Sequence, residues 1–85
     1  MKVVLRPGKM SGTYPIRATA QRLIITNWSG TNCKASATFY PERKGHDTFD
    51  FSNNGTFLID GNFNSVSFYW IDCSDDVISF DFETE

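Results

Sequence analysis

The chain has 85 residues, 40% of them hydrophobic and 15% aromatic, with a formal charge of −2 and an isoelectric point near 5.2. That length supports one hydrophobic core rather than two, and the apolar content is too high for a disordered tail. The eight basic residues are scattered between Lys2 and Lys44 without a dense stripe for phosphates, and the acids, gathered late, are too few for a DNA mimic, so no nucleic-acid partner is expected.

Residues 2–6 read as an opening strand, Lys2-Val3-Val4-Leu5-Arg6. Its apolar run of three residues is far shorter than a signal-peptide core or a membrane span, so the expectation is a chain made in the cytosol with no membrane partner. Pro7-Gly8-Lys9-Met10-Ser11-Gly12 is built from residues that break strand ladders and reads as a flexible loop, a candidate contact arm. Residues 16–20 are short and ambiguous, whereas 22–28 contain the β-branched run Leu23-Ile24-Ile25-Thr26, stopped by Ser29-Gly30, and read as a central strand.

In the next strand Cys33, Ala35, Ala37 and Phe39 fall on one face, the expected core face, and Lys34, Ser36, Thr38 and Tyr40 on the other. A polar loop follows over residues 41–47, after which Phe49 and Phe51 alternate with Thr48, Asp50 and Ser52. Asn53-Asn54-Gly55 and, after Phe57-Leu58-Ile59, Asp60-Gly61-Asn62 both read as tight hairpin turns, because Asn and Gly tolerate the positive φ of primed turns. In the aromatic strand that follows, Val66, Phe68 and Trp70 share one face and Tyr69 and Ile71 the other, so both faces are apolar. Beyond Cys73-Ser74-Asp75-Asp76, the last strand sets Ile78, Phe80 and Phe82 against Ser79 and Asp81. About eight short strands with turn signals between them predict one all-β domain over residues 1–85, an antiparallel sandwich or jelly roll.

The chemistry-bearing residues are sparse. His46 is the single histidine and sits in the charged loop, where a solvated side chain is expected. Cys33, His46 and Asp47 are in principle nucleophile, base and orienting carboxylate, but Cys33 alternates onto the core face. The two cysteines, Cys33 and Cys73, are expected as free, mostly buried thiols, since a cytosolic setting disfavours a disulfide. Asp72, Asp75 and Asp76 crowd one turn and are the candidates for a hard cation such as calcium, although their spacing is not that of an EF-hand loop and acidic turns often serve only solubility. One histidine and two separated cysteines fall short of the usual zinc ligand set, and no Gly-rich phosphate loop is present, so no cofactor is expected. The glycosylation-type triplets at Asn27 and Asn54 are meaningful only in secreted chains and carry no weight under the cytosolic expectation.

Trp28, Tyr40, Tyr69 and Trp70 are the side chains best suited to recognition, by stacking on sugars or anchoring a protein interface. Trp70 shares its face with Val66 and Phe68 and is expected in the core. Ile24, Trp28, Tyr69 and Ile71 lie opposite the main apolar faces of their strands, so a second buried surface is expected, supplied either by another part of the chain or, the favoured reading, by another subunit.

Arg22-Leu23-Ile24-Ile25-Thr26-Asn27-Trp28-Ser29-Gly30, then Cys33 to Pro41 with its alternating small residues, then Ser65-Val66-Ser67-Phe68-Tyr69-Trp70, resemble the small β-sandwich structural proteins of tailed bacteriophages. The likeness spans roughly half the chain. It implies a virion component without an active site, acting in many copies as a decoration, collar, tail or fibre protein, with itself and other virion proteins as partners. Two further readings stand beside it: a carbohydrate-binding module using Trp28, Tyr40 or Tyr69, and a small phage-encoded inhibitor of a host enzyme. An enzyme is not expected, because convergent titratable groups are few.

Overall fold

The computed structural model describes residues 1–41 and 48–85. They form eight strands, β1 (Lys2–Leu5), β2 (Tyr14–Pro15), β3 (Arg22–Ser29), β4 (Lys34–Tyr40), β5 (Thr48–Phe51), β6 (Gly55–Leu58), β7 (Ser65–Asp72) and β8 (Ile78–Thr84). No helix occurs among the described residues, so none is long and apolar enough to cross a membrane.

The strands make two antiparallel sheets of four, in the orders β1-β8-β3-β6 and β2-β7-β4-β5, called the first and second sheet below. The pairs β1·β8, β2·β7, β3·β6 and β4·β5 nest inside one another like one long hairpin. The pairs β3·β8 and β4·β7 stitch it shut once it is rolled into two layers. That is the strand order of a jelly roll.

The core follows from alternation. Val3 and Leu5, Leu23 and Ile25, and Ile78, Phe80 and Phe82 line the inside of the first sheet; Ala35, Ala37, Phe39, Phe51, Val66, Phe68 and Trp70 line the second, all of them buried. Small and large residues interlock across the second sheet, where Ala35 stands opposite Phe51 and Trp70, and Ala37 opposite Phe68 and Phe49. The room left by the two alanines is filled by edge-to-face rings: Phe68 and Phe80 lie 5.0 Å apart and Phe51 and Phe80 5.4 Å.

Four expectations are corrected. The stretch 7–12 is not a free arm: the Ser11 amide donates to the Phe68 carbonyl at 2.8 Å, Met10 bridges Tyr69, and β2 pairs with β7. These contacts cover a β7 edge that would otherwise present unpaired backbone groups. Neither Asn53-Asn54-Gly55 nor Asp60-Gly61-Asn62 turns a hairpin, since β5 and β7 belong to the second sheet and β6 to the first, so both turns carry the chain between layers. Gly61 in the second turn does take positive φ (137°), but among the asparagines positive φ falls at Asn27 (54°) and Asn32 (57°). Finally, Cys33 and Cys73 are not free thiols but a disulfide. Lys34 pairs with Asp72, so antiparallel register sets residue 33 against residue 73, with Cα atoms 4.0 Å apart.

Candidate functional site

The outer face of the second sheet is a floor of small hydroxyl residues rimmed by large side chains. Ser36 stands between Tyr69 and Asp50, and Thr38 between Ser67 and Thr48. Thr38 and Thr48 share a hydroxyl hydrogen bond at 3.1 Å, and the Tyr40 hydroxyl lies 2.9 Å from the Ser67 hydroxyl, a diagonal contact that lays the Tyr40 ring over the floor. Ser36 and Ser67 are consequently buried although they face outward. At the other side of this face Met10, Tyr69 and Ile71 are exposed at 58%, 39% and 43%. Tyr69 and Ile71 are two apart on β7 and Met10 is the bridge partner of Tyr69, so the three form one strip.

Ile24 lies on the opposite side of the molecule, on the outer face of the first sheet between Glu83 and Thr56. Leu58, 79% exposed on edge strand β6, is its diagonal neighbour. Stacked sheets are about 10 Å apart, so Ile24 and Tyr69 belong to two separate patches rather than one surface.

Trp28 departs from simple alternation. Between Thr26, opposite Asp81, and Ser29, opposite Ser79, β3 carries one extra residue, and Asn27 takes φ 54° to accommodate it. A one-residue slip reverses every later side chain, so Trp28 turns inward, stacked on Phe80 at 5.7 Å and edge-on to Phe51 at 5.5 Å. Asn27 and Ser29 turn outward, Asn27 donating to the Asp81 carboxylate at 2.8 Å. The Trp28 amide, left without a ladder partner, donates to Asn54 Oδ1 at 2.8 Å. Its indole Nε1 is buried without an acceptor among the described residues.

Tyr40, Tyr69, Ile71 and Met10 therefore share one face, Ile24 faces the other way, Trp70 belongs to the core, and Trp28, half-buried, packs against that core from the inner side. Met10 escaped sequence reasoning because it sits among loop-forming residues; its alternation with Ser11 was the available signal. His46 and Asp47 lie outside the described residues, and Cys33, its sulfur tied to Cys73, is no nucleophile in this state. The ligand atoms that lie within 4.8 Å of one another at the acidic turn are those of Cys33, Cys73 and Asp75, not the carboxylates of Asp72, Asp75 and Asp76. One surface cleft, between residues 15–20 and the C-terminal Thr84 and Glu85, offers Arg17 and Glu85 but no paired acid and base.

No protein-family model, no curated protein and no solved structure matches the chain.

Proposed function

We propose that this domain is a structural rather than a catalytic protein, a virion component of the tailed-phage type that assembles in repeated copies through its outer sheet faces. The observation that carries the reading is the exposure of apolar side chains on both outer faces: Met10, Tyr69 and Ile71 on one, Leu58 beside half-buried Ile24 on the other. A short chain that leaves such strips outward gains by covering them with a second copy. Strips on opposite faces suit head-to-tail contacts, which propagate into rings or filaments. The disulfide suits a particle that leaves the reducing cytoplasm.

Light scattering of the purified chain tests this. The expected result is an oligomer that dissociates on Tyr69→Lys with Ile71→Asp, and separately on Leu58→Asp. A wild-type chain that stays monomeric at high concentration would remove the reading, and loss of assembly in only one variant would replace head-to-tail contacts by a two-fold one.

A second reading, glycan binding, is favoured by Tyr40 and Tyr69 flanking the Ser36 and Thr38 hydroxyls on one flat face. Oligosaccharide binding abolished by Tyr69→Ala, with assembly absent, would select it.

A further inference from the structure

We propose that Cys33, Cys73 and Asp75 form a two-state site: a disulfide under oxidising conditions and, once reduced, a binding site for a thiophilic divalent cation such as Zn²⁺. The two sulfurs and a carboxylate oxygen of Asp75 lie within 4.8 Å of one another. Two thiolates and a carboxylate are a donor set zinc accepts, and tetrahedral bonds of zinc length hold sulfurs about 3.7 Å apart, so the freed sulfurs must part to bind it.

The backbone keeps the ligands together without the disulfide. Antiparallel register of β4 and β7 places residues 33 and 73 opposite each other. The Ser74 hydroxyl donates to the Thr31 carbonyl at 2.8 Å, a second tie between the same two loops. The Asp75 amide donates to Cys73 Sγ at 3.4 Å, which curls the turn so that the carboxylate returns over the sulfurs. Gly30 supplies room: a Cβ there would lie 2.8 Å from Cys33 Sγ and 3.8 Å from Trp28 Nε1. The indole donor that has no acceptor among the described residues borders the same space. Cys33 is buried, Cys73 half-buried and Asp75 exposed, so the site opens to solvent on the carboxylate side, leaving a route in and a position for water.

In the cell a dithiol reductant transfers two electrons and two protons to the sulfurs, giving two thiols, and closes to its own disulfide. Metal binding then releases the two thiol protons to water and forms two metal–sulfur bonds and one metal–oxygen bond.

The test uses the full chain, reduced with a phosphine that does not compete for metal, and titrated first with Co²⁺ and then with Zn²⁺. The expected result is a sulfur-to-cobalt charge-transfer band saturating at one equivalent, displaced by zinc and absent from the oxidised chain. Zinc should also raise the thermal midpoint of the reduced chain and leave the oxidised one unchanged. Asp75→Asn, at an exposed position, should weaken zinc about tenfold or more, since loss of even an outer-shell partner does that, whereas Asp76→Asn should not. No band, a band without a rise in the midpoint, or an affinity unchanged in Asp75→Asn would each overturn the proposal.

Discussion

At the scale of single residues, the sulfur pair dominates. Cys33 and Cys73 are 40 residues apart in sequence, and closing a loop of that size stabilises the fold by about 4 kcal/mol in the chain-entropy model. That is a large share of the total for so small a domain. Urea denaturation of the oxidised chain and of Cys33→Ala/Cys73→Ala should differ by that amount. Gly30, at φ 148° with Cys33 Sγ in the way of any Cβ, should not tolerate Gly30→Ala without a loss of about 1–3 kcal/mol in the same assay. Trp28→Phe is expected to be neutral or stabilising, because phenylalanine keeps the ring contact with Phe51 and Phe80 while removing a buried donor that lacks an acceptor among the described residues. The asparagines show how a sequence signal can be read correctly and placed wrongly. Asn-Gly marks a turn at Asn54, but its work there is to accept the Trp28 amide, and the left-handed asparagines are Asn32 and, inside a strand, Asn27.

At the scale of elements, β3 and β7 decide what the surface looks like. The bulge in β3 turns Trp28 inward to half-burial, and Asn27→Val, which must hold a β-branched residue at φ 54°, should cost about 1–2 kcal/mol and raise Trp28 fluorescence quenching by acrylamide. β7 is flanked by β4 on one side and by the 9–15 segment on the other, which frees Tyr69 and Ile71 to face outward from a rigid strand. Amide exchange should be slowest in β3, β4, β7 and β8, each paired on both edges, and fast in the two-residue β2. Phe68→Ala, at 0% exposure and in ring contact with Phe51, Phe80 and Phe82, should cost about 3–5 kcal/mol, enough to leave little folded protein without the disulfide.

At the scale of the whole molecule, nesting makes nearly every pairing distant in sequence. The terminal amine donates to the Phe82 carbonyl 81 residues away, so the first and last strands meet only when the rest has rolled up. Such topology predicts folding in milliseconds to seconds rather than microseconds, measurable by stopped-flow dilution from denaturant. The rolled sheet also explains why a hypothetical single assembly face became two: strips that look equivalent along the chain end on opposite sides of the sandwich.

The all-β class, most strand positions and the inner faces of β4, β7 and β8 were legible from period-two alternation, because that pattern depends only on which residues a pleated strand sends to water and which to the core. Partnering was not. Alternation is the same whether a neighbour in sequence pairs in the same sheet or crosses to the other, so the two apparent hairpins, the covered β7 edge and the Cys33–Cys73 juxtaposition required the tertiary structure. The inward turn of Trp28 required it too, since one inserted residue reverses a face and leaves no mark in the pattern that precedes it.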